Sequence, residues 1–159
     1  RGIQAPGWVR TYEALGAQAT PLAYGELFLA LQNGIVDAAE LAPDQTVGDG
    51  FADVITDYTL TRVHQLPSLM LGSASLNSKL TEDQLAIIEE AAAEALATGI
   101  AAHNEATEAG LETMEDMGIT IHEPDLGPFI EKAREAWPGL MQDIPNGDEI
   151  VERLTGSSN

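Results

Sequence analysis

The sequence predicts an α/β fold with a mainly parallel sheet. Short apolar stretches alternate with helical spacing over the first forty residues, and a strong helix start stands at "LTEDQL". A single ordinary core fits 159 residues with 44% hydrophobic content, enough for one domain or a domain with appended helices.

The elements follow in order. "RGIQA" (1–5) alternates apolar and polar and is closed by Pro6-Gly7, so a strand and turn are expected. Trp8, Tyr12 and Leu15 then recur about one helical turn apart before Gly16, which predicts a short helix stopped by glycine. A second strand is expected at "ATPLAY" (19–24), weakened by Pro21. Tyr24, Leu27, Phe28 and Leu31 next define one helical face, with Gly34 as the left-handed residue that ends it; a type I′ hairpin at Asn33-Gly34 is the competing reading. "IVDAAE" (35–40) reads as a short strand with Glu40 just past its end, where ligands gather in parallel sheets.

"PDQTVGDGFADVI" predicts a short helix interrupted between Gly48 and Gly50, and "DYTLTRVHQLPSLMLGSASL" reads as extended, as two strands split near Pro67. At Thr81 and Gln84 the residues of a capping box precede a helical pattern reaching Met117-Gly118, with Glu82 and Asp83 on the positive end of the dipole. Unbroken, that helix would be roughly 55 Å long, enough to cross from one body to another, and Gly99 and Gly110 mark expected bends. "GITIHEP" is a further strand, and two terminal helices complete the pattern.

Charge narrows the function. Seven Lys+Arg against 26 Asp+Glu give a net charge of −19, which repels phosphate backbones and anionic lipid and disfavours nucleic-acid or membrane-surface partners. An anionic ligand would need one of the few cations to hold it locally. Such acidity also suits a salt-rich habitat, where screening shortens self-repulsion. Cysteine is absent, which excludes disulfides and thiolate metal sites, and no apolar run approaches the roughly 20 residues of a membrane span. The chain opens on Arg1 in what reads as mid-strand, so an upstream portion is expected.

Catalytic templates fail: "MLGSASLNS" is not G-x-S-x-G, and neither H-E-x-x-H nor a glycine-rich phosphate loop occurs. His103 reads as an exposed helix face and His122 as structural. His64, beside Gln65 in an apolar stretch, is the histidine retained as a site candidate. Glu40 has a plain alternative as a solvated acid.

The segments "PLAYGELFLALQNGIVDAAE", "GFADVITDYTLTRVH" and "SKLTEDQLAIIEEAA" resemble the solute-binding proteins of tripartite ATP-independent periplasmic (TRAP) transporters over nearly the whole chain. The resemblance implies class II periplasmic-binding-protein architecture. Residues 1–75 would form the α/β second lobe and 76–159 the long interlobe helix with a C-terminal helical segment, the N-terminal lobe being absent from the chain. It further implies a periplasmic receptor, secreted through a signal peptide outside this chain, that delivers a small organic acid to a permease and performs no chemistry. Homodimer formation is a further possibility. Carried over residue by residue, the family's carboxylate-pairing arginine matches Arg1, its cleft aromatic Tyr24, and its Glu-Asn-Pro or Glu-Trp motif Glu40, Leu41 and Ala42. Members that bind keto acids through a metal use that glutamate, the following backbone carbonyl and a residue matching Gln65; no other cofactor is implied. Leu41 departs from the asparagine or tryptophan of the motif, which leaves the substrate class open. The alternatives are an acidic module that docks a partner protein and, last, an enzyme using Glu40 and His64 as an acid–base pair.

Overall fold

A computed structural model describes residues 1–64 and 68–156. Helix α1 (Pro6–Ala14) begins with proline in its first turn, where the missing N–H costs nothing, and ends ahead of Gly16 at φ 94°. A 3-10 turn (Tyr24–Glu26) leads into α2 (Leu27–Gln32), and α3 (Pro43–Gly48) is followed by Gly50 at φ 79° and a second 3-10 turn, Phe51–Val54. Strand β1 (Asp57–Thr59) pairs in parallel with β2 (Thr120–His122), Tyr58 standing opposite Ile121. Between them lie α4 (Leu76–Lys79) and α5 (Glu82–Asp116); α6 (Gly127–Met141) and α7 (Gly147–Gly156) close the chain.

The expected strands are shorter than their patterns suggest. Strands 1–5 and 19–24 reduce to one parallel bridge, Gly2 to Pro21, because Pro6 opens a helix and Pro21 has no N–H to extend a ladder. "IVD" is not a strand. The amides of Ile35 and Val36 both donate to Ala30 O, at 2.8 and 3.3 Å, and that of Gly34 to Leu31 O at 3.1 Å. With Gly34 at φ 68° this is a Schellman motif, so the N–H groups a ladder would use close the helix instead. The helical reading of Asn33-Gly34 therefore holds over the hairpin. Past Thr59 the chain forms no further strand among the described residues before α4, and Pro67 lies outside them.

The capping box is present: Gln84 N donates to Thr81 Oγ1 at 3.3 Å and Thr81 N to Gln84 Oε1 at 3.0 Å. Through Gly99 and Gly110 α5 continues as one helix of 35 residues. A side chain at Gly110 would meet the backbone of Pro43 and Asp44 at 2.7–2.9 Å, so this glycine serves close packing of α5 on α3. A second Schellman end follows, with Gly118 at φ 83° and Ile119 N donating to Met114 O at 2.9 Å.

Two adjoining clusters form the core. Leu27, Ala30, Val36 and Phe51 make one; Ala52, Met114 and Ile119 make the other, and the neighbours Phe51 and Ala52 join them. Residues on both sides of position 75 thus share one core and one strand pair. Beyond it, α1 packs on α6 and α6 on α7.

Candidate functional site

Arg1 and Tyr24 come together at one corner. Arg1 Nε donates to Leu22 O at 3.0 Å, and its Cζ stands 6.0 Å from the centre of the Tyr24 ring, the outer limit of a cation–π contact. Among the described residues, the terminal guanidinium nitrogens make no hydrogen bond or ion pair, although the chain carries 26 acids. Backbone bonds fix the segment: Arg1 N donates to Ala38 O at 2.6 Å and Gly2 N to Thr20 O at 3.0 Å. The Tyr24 hydroxyl donates to Asp49 Oδ2 at 2.5 Å, and its ring meets Phe51 edge-on at 5.6 Å. Lost hydration, followed by the Asp49 bond, raises the Tyr24 phenol to about 12.

Glu40 and His64 meet beside this corner. Glu40 Oε2 accepts from the Tyr12 hydroxyl and from His64 Nδ1, the latter at 2.7 Å, with the Glu40 and His64 side chains 31% and 18% exposed. The His64 ring lies 3.6 Å from that of Trp8 and 5.7 Å from that of Tyr12, so α1 supplies an aromatic wall behind the pair. Burial first, then the bond to Glu40, raises the Tyr12 phenol above its ordinary range, while the Arg1 charge opposes the shift. Arg1 acts in the same sense on Tyr24, so its charge reaches both tyrosines.

Leu41 is half-buried at the edge of the core. Its side chain packs on the Leu27–Phe51 cluster, and its carbonyl accepts from the Tyr58 hydroxyl at 2.7 Å. Of the groups expected to hold a cation, Glu40 Oε2 and the Leu41 carbonyl already accept hydrogen bonds, and Gln65 lies outside the described residues. No three His, Asp or Glu among the described residues converge as metal ligands. His103 stands 3.6 Å from Asp44, and His122 pairs with Asp57 at 2.7 Å across the strands, both away from the Arg1 corner.

Trp8 and Tyr12 were legible only as the inward face of a helix. Their spacing of four residues, which places both rings on one side of α1, is the signal that could have assigned them to the site. Tyr58 and Asp49 carried no such signal.

Among the described residues, then, the outer nitrogens of the Arg1 fork stand without partners beside the Tyr24 ring, on a helix-rich lobe with a small parallel sheet. The family model described as bacterial extracellular solute-binding protein, family 7 (DctP), matches residues 1–143, and the chain belongs to that family. It is 28% identical to a solute-binding protein of Chromohalobacter salexigens over 91% of its own length and 43% of the relative's. To the C4-dicarboxylate-binding periplasmic protein DctP of Rhodobacter capsulatus it is 31% identical, over 89% of itself and 40% of that protein. A solved TRAP periplasmic solute-binding protein from Chromohalobacter salexigens, with bound D-glucuronate, superposes with a TM-score of 0.82 at 27% identity, covering 98% of this chain and 52% of that one. The chain thus spans about half the length of the relatives it matches. The family is described as one of extracellular solute-binding proteins, and the solved relative is a periplasmic solute-binding protein of a TRAP transporter.

Proposed function

We propose that the chain supplies one lobe and the interlobe helix of a receptor that binds a small organic acid through its carboxylate and delivers it to a TRAP membrane permease. The observation that carries this reading is the Arg1 guanidinium, held by Leu22 O through Nε, with its outer nitrogens free of partners among the described residues. A planar guanidinium offers a carboxylate two parallel hydrogen bonds. The Tyr24 face lies beside it, and the Tyr12–Glu40–His64 group can present polar atoms to the rest of a ligand. Relatives support the ligand class, one carrying D-glucuronate and another named for C4-dicarboxylates.

The division of labour is read from α5. Its exposed apolar residues Ile87, Ile88, Leu96 and Ile100 suit a helix that runs on to a second body, with residues 1–75 making most of the ligand-facing lobe. A thermal-shift screen of organic acids on the full-length receptor tests the function. An acid present at 100 times its Kd adds about 2.7 kcal/mol to stability. If no carboxylate raises the melting temperature while a bound partner protein does, the receptor reading fails.

A further inference from the structure

We propose that Asp49 is a positioning residue that fixes the Tyr24 ring as the platform on which the Arg1 guanidinium is held, an inference that rests on the carboxylate-binding reading above. Three contacts surround the ring. Asp49 Oδ2 accepts from its hydroxyl at 2.5 Å, Phe51 meets its edge at 5.6 Å, and Arg1 faces it at 6.0 Å. Phe51 is 3% exposed, a fixed wall, whereas Tyr24 is 40% exposed and has open space into which it can turn. The hydroxyl bond therefore closes the ring's remaining freedom.

Local backbone makes Asp49 suited to the task. It caps α3, its own N–H donating to Gln45 O at 3.0 Å, and Gly50 at φ 79° then turns the chain so that Phe51 enters the core. Carboxylate and aromatic wall are two residues apart on one rigid turn, and both touch the same ring. The raised ionisation of Tyr24 agrees with a hydroxyl that keeps its proton to donate.

A carboxylate near an anion site opposes the anion through its charge, so the two roles predict opposite signs. If Asp49 acts by positioning, Asp49→Ala and Tyr24→Phe in the full-length receptor each weaken binding by about tenfold, the scale of one lost hydrogen bond to a charged group. Asp49→Asn, which still offers an acceptor, stays within about threefold of the parent on the same scale. The double variant is no weaker than either single one. If Asp49 acts only as a nearby charge, Asp49→Ala and Asp49→Asn both tighten binding, and the inference is overturned.

Calorimetry with D-glucuronate and with succinate reads these effects, with Arg1→Lys as control. Arg1→Lys weakening a carboxylate that Asp49→Ala leaves untouched sinks the inference and spares the functional reading; Arg1→Lys without effect sinks both. The ligand-free protein gives an independent test. Absorbance titration of the parent minus Tyr24→Phe isolates Tyr24, whose ionisation Asp49→Ala should move down from about 12 toward its ordinary value of 10.0. An unchanged titration would show that Asp49 does not hold the hydroxyl.

Discussion

In α5, Gly110 and Met114 are buried against α3 and the strand pair; from Glu82 to Ala109 none of its side chains is buried, His103 reaching Asp44 from an exposed position. One continuous helix therefore obeys two sets of rules. Its outer part is held by local terms: the Thr81–Gln84 capping box, acids in the first turn and an alanine-rich sequence of high helix propensity. Its inner part is held by packing, where Met114 fills the cluster with Ala52 and Ile119 and a missing Cβ at Gly110 lets two backbones touch. Glycine illustrates the difference, since a Cβ at Gly99 meets nothing within 4 Å.

Substitutions at the two ends sharpen the contrast. Met114→Ala should cost the most, about 2–5 kcal/mol by urea unfolding, because Met114 is 0% exposed and its removal leaves a cavity. Gly110→Ala follows at about 1–3 kcal/mol, since the new methyl collides with the rigid backbone of Pro43 and Asp44. Gly99→Ala should reverse the sign and stabilise by about 0.5–1 kcal/mol, the propensity gain with nothing to strike. Equal destabilisation by both alanines would erase the distinction between the ends.

The smallest effect at working pH comes from Tyr58, on the packed side. Burial first, then the charges of Asp44 and Glu40, raises its phenol to about 12 from 10.0. The unfolded chain gives up this proton near 10 and the folded chain only near 12, so the unfolded state binds fewer protons between those values. Tyr58's contribution is therefore intact below pH 10 and lost as the pH rises toward 12, and Tyr58→Phe should flatten this part of the alkaline decline in urea midpoints.

What could be read from the residues divides along the same line. The capping box, the glycine helix ends and the Trp8–Leu15 helix depend on neighbours within a few positions, and each stands where the spacing put it. Strands depend on a partner the sequence does not name. "IVD" has the composition of a strand, yet its amides close a Schellman end, a choice set only when Gly34 takes its left-handed turn. The close approach of Gly110 to Pro43 is a tertiary fact that its spacing in the helix does not carry. In the candidate site, family resemblance pointed to Arg1, Tyr24 and Glu40, but not to the groups that hold them. Asp49 stands 25 residues from Tyr24 and Tyr12 stands 28 from Glu40.

The central claim is that the Arg1 fork grips a ligand's carboxylate, and titration calorimetry of Arg1→Lys in the full-length receptor addresses it most directly. Lysine keeps the charge and loses the paired geometry, and loss of one partner in a desolvated charged contact costs about 2–5 kcal/mol. Carboxylate affinity should thus fall by roughly 30-fold to several thousandfold with the melting temperature of the ligand-free protein unchanged. An affinity within about twofold of the parent, on a scale where tenfold is 1.4 kcal/mol, would remove Arg1 from the site and contradict the account.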